Sequence, residues 1–145
     1  MSFRPVGRLL VVLSSPKSID AITLFVEDLD QAKDFYQKAF ELTLHFEDPN
    51  SAVFLFANTL INLLKVEAAD ELVAPAPVGA ADSGARCQFT IPVDDVDLAC
   101  DELRHRGVRI LNGPIDRPWG FRTASFKDPS GHIWEIAQSI RRPNS

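Results

Sequence analysis

At 145 residues the chain fits a single domain and is long enough to bury a core of its own. Its 46% hydrophobic and 24% charged residues, without a low-complexity tract, place it among ordinary globular proteins. The formal net charge of -5 argues against nonspecific nucleic-acid binding, which needs a basic face to neutralise phosphates, and permits a neutral or cationic small-molecule partner.

The N-terminus carries Arg4, Arg8 and the apolar run Leu9-Leu10-Val11-Val12-Leu13. That run is shorter than the ~7–15 residues of a signal-peptide core, and no small-x-small cleavage site follows it. Residues 1–18 therefore read as an N-terminal extension and candidate extra strand, on a cytoplasmic protein. No stretch approaches the ~20 apolar residues that span a bilayer. Cys87 and Cys100 lie thirteen positions apart, without metal-type spacing, and read as ordinary thiols of a reducing compartment.

From residue 19 onward the chain repeats itself. Val26-Glu27-Asp28-Leu29-Asp30-Gln31-Ala32 is matched 67 positions later by Val93-Asp94-Asp95-Val96-Asp97-Leu98-Ala99. Each segment follows a strand pattern and opens a helical one, which is the signature of a duplicated unit. In the first strand Ile22, Leu24 and Val26 suit packing under a helix, so Ala21, Thr23 and Phe25 form the face that lines a cavity. Leu29, Ala32, Phe35, Tyr36, Ala39 and Phe40 then recur at helical spacing. Asp28 with Gln31 three residues on predicts an N-cap. Strand patterns follow at Leu42 to Phe46, Ala52 to Phe56 and Leu60 to Val66.

Residues 67–85, rich in Ala, Pro, Gly and Asp, read as a linker. The second copy opens on a strand whose mixed face is Gln88, Thr90 and Pro92, opposite Phe89, Ile91 and Val93. Its helix carries Val96, Ala99, Cys100 and Leu103, and Gly107 stands where a C-terminal stop is expected. Strand patterns follow at Val108 to Leu111, Arg122 to Lys127 and His132 to Gln138, with Asp128-Pro129-Ser130-Gly131 as a turn. The expected architecture is α+β: two tandem β-α-β-β-β modules at about 19–66 and 86–140, and a tail at 141–145.

Val26-Glu27-Asp28-Leu29, Phe35-Tyr36, Val93-Asp94-Asp95-Val96, Pro118-Trp119-Gly120 and Asp128-Pro129-Ser130-Gly131-His132-Ile133-Trp134-Glu135 occur in one order and spacing. Together they resemble the vicinal oxygen chelate superfamily, the glyoxalase, bleomycin-resistance and extradiol-dioxygenase group, over about residues 20–140. The resemblance implies curved mixed sheets around a shared cavity, helices on the outer face, and a homodimer. Its metal enzymes place His, Glu, His and Glu on four strands, and those positions fall here on Ala21, about Asn62, Gln88 and Glu135.

That set is degenerate as a metal site. Divalent first-row metals take imidazole, thiolate or carboxylate donors, whereas Ala21 has no donor and Asn62 and Gln88 offer neutral amide oxygens. No tightly bound metal cofactor is expected; one carboxylate and two amides suit at most a weakly held, hydrated divalent cation. Strand alternation places Glu135 with Ile133 and Ala137, and Trp134 with Ile136 on the other face. Glu135 reads as a pocket carboxylate, acting as acid or base or holding a ligand donor, or as a relic of a metal site now bonded to Gln88 or Asn62.

Arg122, beside Trp119-Gly120-Phe121, has the planar fork that clamps a carboxylate or phosphate. Trp119, Phe46, Phe54 and Phe56 are candidates for an aromatic wall, with core packing the default for the phenylalanines. Asp28, Asp30, Asp95 and Asp97 stand at helix starts, where capping is the natural role. His45, His105 and His132 lack a nucleophile partner. The leading expectation is a metal-free binder of an aromatic or cationic small molecule. The alternatives are a divergent metal-dependent lyase, isomerase or dioxygenase using Glu135, and a non-catalytic regulatory or interaction module.

Overall fold

The computed structural model describes residues 18–141; the N-terminal extension, apart from Ser18, lies outside that range. Module one runs β1 (Ala21–Val26), α1 (Leu29–Phe40), β2 (Leu44–Asp48), β3 (Ser51–Leu55) and β4 (Leu60–Lys65). After α2 (Val66–Val73), module two runs β5 (Gln88–Pro92), α3 (Val96–His105), β6 (Ile110–Arg117), β7 (Phe121–Lys127) and β8 (Ile133–Ser139). Each module is a four-stranded mixed sheet, in the orders β1-β4-β3-β2 and β5-β8-β7-β6. The first strand pairs parallel with the last, and the others pair antiparallel.

The duplicated helix starts fold alike. Asp28 accepts a hydrogen bond from the Gln31 backbone N–H at 2.9 Å, and Asp95 accepts one from Leu98 at 3.0 Å. Each carboxylate satisfies a donor that the first helical turn leaves orphaned. Glu41 ends α1 in the left-handed region at φ 54°, and Gly107 follows α3 at φ 86°. The alternation expected in β1 holds, with Leu24 and Val26 buried under the helix and Thr23 exposed on the other face.

One hydrophobic core spans both modules, from Leu24, Tyr36 and Phe54 to Phe126 and Trp134. Tyr36 lies 5.9 Å from Trp134, Phe40 lies 5.0 Å from it, and Phe56 stacks on it at 5.6 Å and 10° between planes. The helices α1 and α3 lie outside, opposite the mixed faces, and the two sheets do not close around one cavity within the chain.

Two elements differ from the sequence reading. The expected linker holds α2 in its first half, with Ala69 buried; only residues 74–87 remain irregular. Glu67-Ala68-Ala69-Asp70-Glu71-Leu72 is rich in helix formers, and the Pro and Gly that suggest a linker are confined to residues 74–84. Strand β6 runs on to Arg117 through Gly113-Pro114, beyond the strand pattern expected at Val108 to Leu111. As an edge strand interrupted by register shifts, β6 tolerates a proline without losing a ladder bond. Gly113, at φ 89°, also lies too close to the Thr123 backbone for any side chain.

Candidate functional site

The duplication puts equivalent pairs on the two mixed faces. In β1 and β4, Thr23 is in register with Asn62, and the Asn62 amide donates to Thr23 Oγ1 at 3.4 Å. In β5 and β8, Thr90 is in register with Glu135, and the Thr90 hydroxyl donates to Glu135 Oε1 at 2.9 Å. Asn62 is therefore the module-one counterpart of Glu135. The pleat fixes both, since side chains two apart along a strand share a face.

Asn62 lines a cleft of about 440 Å³ with Phe46, Val53, Leu64, Glu71 and Leu72, bounded on one side by α2. Thr23 and Phe25 line a second cleft, of about 270 Å³, against the 79–87 segment and Ser130 to His132. Gln88 and Thr90 are exposed and Glu135 is half-buried on the face of module two. Ser125 and Thr123 of β7 stand beside them, in register with Glu135 and Ala137.

The metal-ligand positions do not form a metal centre by their chemistry. Ala21 contributes nothing, Asn62 is bonded to Thr23, Gln88 is a neutral amide, and Glu135 is already an acceptor for Thr90. Among the described residues no three His, Cys, Asp or Glu side chains come together as a metal-holding group. The residues present thus do not fit a tightly held transition metal.

Three candidates fall elsewhere. Phe54 is fully buried in the core, 6.1 Å from Tyr36, and Phe56 stacks on Trp134, so neither forms an aromatic wall with Trp119. Even positions of this segment face α1, and alternation alone does not say which parity points inward. Arg122 likewise lies on the helix side. Its Nε and Nη2 meet both carboxylate oxygens of Asp97 at 2.9 and 3.0 Å, and its Nη1 meets Asp116 at 2.9 Å. The hydrogen bonds and charge of Arg122 hold the Asp97 carboxyl below its ordinary range, and the guanidinium is spent on these partners.

Trp119 is 56% exposed, with the Arg117 guanidinium carbon 6.0 Å from its ring centroid. Arg117 is the arginine of the mixed face: its Nε donates to Thr123 Oγ1 at 3.0 Å and its Nη2 to Asn112 Oδ1 at 3.4 Å. Sequence reasoning missed it because the shifts at Asn112 and Ile115 hide the alternation of β6. Its position two residues before Trp119 is the one signal that marks it.

Asp128 opens the turn before β8 and is buried. It accepts from the backbone N–H groups of Ser130 at 3.0 Å and His132 at 2.9 Å, and from the Tyr36 hydroxyl at 2.6 Å. His132 Nδ1 lies 2.8 Å from the same carboxylate. Trp134 Nε1 donates to the Tyr36 oxygen at 3.0 Å. Burial, and then the Asp128 charge, push the Tyr36 hydroxyl well above the ordinary tyrosine range, so it serves as a fixed donor. This network ties module one to the turn of module two and makes that turn structural.

Known proteins share this fold. A family model described as the Glyoxalase/Bleomycin resistance protein/Dioxygenase superfamily matches residues 18–136. The YraH protein of Bacillus subtilis is 35% identical over 125 residues, covering 82% of this chain and 96% of that protein. A glyoxalase/bleomycin resistance protein/dioxygenase from Nocardioides superposes with a TM-score of 0.80 at 24% identity, covering 92% of each chain. Lactoylglutathione lyase from Agrobacterium tumefaciens superposes at 0.69 and 24% identity, covering 86% of this chain and 95% of that one. The strand order, the duplicated caps and these matches agree: the chain belongs to the glyoxalase/bleomycin resistance protein/dioxygenase superfamily.

Proposed function

We propose that this chain is a small-molecule-binding protein that works without a tightly bound catalytic metal, with its ligand on the mixed face around Glu135, Gln88 and Thr90. The donor set carries the reading: Ala21, Asn62 and Gln88 replace three strong ligands, while Glu135 remains as a carboxylate oriented by Thr90. A carboxylate on a half-buried face, beside neutral hydroxyl and amide groups, selects a cation or a hydrogen-bond donor. The enzymatic alternative, a lyase, isomerase or dioxygenase step, rests on the same retained Glu135 acting as acid or base.

A thermal-shift screen of organic cations and aromatic amines tests the reading. A binder is expected to raise the melting temperature of the native chain, and Glu135→Gln to weaken it by about tenfold or more, the worth of a charge-assisted hydrogen bond. Hits that bind the variant equally well would move the site away from Glu135.

The assembly in this proposal is a homodimer joined through the mixed faces. Phe46 and Leu55 on the face of module one, and Ile115 and Trp119 beside that of module two, are large apolar side chains left exposed. A second copy covers such surface and closes the cavity that one chain leaves open. Sedimentation is expected to give a dimer that Leu55→Glu converts to monomer with its circular dichroism intact; a native monomer at high concentration would contradict this. The cytoplasmic location is proposed on the same terms, supported by the two free cysteines.

A further inference from the structure

Two opposite charges share the mixed face of module two without neutralising each other. The ion pairs among the described residues engage Lys33, Lys38, Arg104, Arg106 and Arg122, and none takes Arg117 or Glu135. Each is instead pinned by a neutral threonine, Arg117 by Thr123 and Glu135 by Thr90. Both are half-buried, so water screens them only in part.

Their spacing follows from the sheet. Thr123 is in register with Ala137, which makes Glu135 its diagonal neighbour across β7 and β8. Diagonal neighbours of an antiparallel pair lie ~7–8 Å apart. Glu135 leans toward Thr90 of β5 and Arg117 reaches Thr123 from β6, so the two charges stand on either side of that diagonal, farther apart than the residues that define it. Of the five guanidinium N–H groups, Nε and one on Nη2 are spent. The Nη1–Nη2 edge keeps the paired donors that grip a carboxylate in two parallel hydrogen bonds.

We propose that this face recognises a small zwitterion, an amino carboxylate whose carboxylate meets Arg117 and whose ammonium meets Glu135. The inference rests on the reading that the Glu135 face is the binding face, and it names the ligand class of that site. A ligand with both charges satisfies both ends together, whereas a simple amine leaves Arg117 without a counter-charge. Trp119, stacked near the guanidinium, offers an apolar wall for the spacer, so an aromatic or extended spacer is favoured over a short one.

Calorimetry on the full chain tests this with three zwitterions, gamma-aminobutyrate, epsilon-aminocaproate and para-(aminomethyl)benzoate, against hexylamine and hexanoate. At least one zwitterion is expected to bind about tenfold or more tightly than either single-charge control. Arg117→Gln should remove that advantage while leaving hexylamine binding unchanged, and Glu135→Gln should weaken zwitterion and amine alike. Arg117→Lys should restore only part of the advantage, because an ammonium lacks the paired donors. Zwitterions that bind no better than hexylamine, or that ignore Arg117→Gln, overturn the inference. If hexylamine still binds through Glu135 in that case, the binding-face reading survives and only the ligand class falls. Binding by no probe at all overturns the inference as well.

Discussion

Asp128→Ala is expected to destabilise the fold by about 3–5 kcal/mol, because it removes the common acceptor of a buried network. The Tyr36 hydroxyl and the backbone N–H groups of Ser130 and His132 all donate to this carboxylate. Tyr36 is wholly buried, and its hydroxyl would be left with no acceptor to replace Asp128. Asp128→Asn should cost less, since an amide oxygen keeps part of the acceptor set. Urea unfolding of the three proteins measures both changes. A loss below about 1 kcal/mol for alanine, the ordinary worth of one exposed hydrogen bond, would show that the network does not hold the modules together.

Trp134→Ala is the second large effect, again about 3–5 kcal/mol, the usual cost of emptying a buried aromatic site. Its ring meets Tyr36 and Phe40 of α1, Phe56 of module one and Phe89 of β5. The cavity would open at the junction of the modules, so neither can collapse alone to fill it. Trp134→Phe should recover most of the packing but not the Nε1 bond to Tyr36. Both variants are expected to unfold in a single transition, because one core spans the modules. A native protein that melts in two steps would contradict the shared core.

Much of this fold is legible in local chemistry. The 67-residue offset carries over to atoms: Asp28 and Asp95 cap their helices alike, and Thr23 and Thr90 each meet a polar side chain on the partner strand. What escapes is set by longer-range choices. Alternation tells that Phe54 and Phe56 share a face, but only the position of α1 tells that the face is the inner one. Arg122 and Arg117 are equal in sequence terms; Asp97, in the first turn of α3, is what captures the former. Helix α2 is hidden by the composition of its C-terminal neighbours, and β6 by a proline that an edge strand accepts. Site chemistry is half legible: the weakness of the donor set is plain from residue identity, whereas the placement of Arg117 and Glu135 on one face depends on strand register.

Elemental analysis of untagged protein is the decisive measurement for a binding face that works without a tightly held metal. Native chain and Glu135→Ala would be measured side by side, before and after dialysis against Mn²⁺, Fe²⁺, Ni²⁺ and Zn²⁺. No metal is expected in the native protein above the variant's background under any of these conditions. Near-stoichiometric metal that disappears in Glu135→Ala would contradict this and make Glu135 a ligand of a working metal centre.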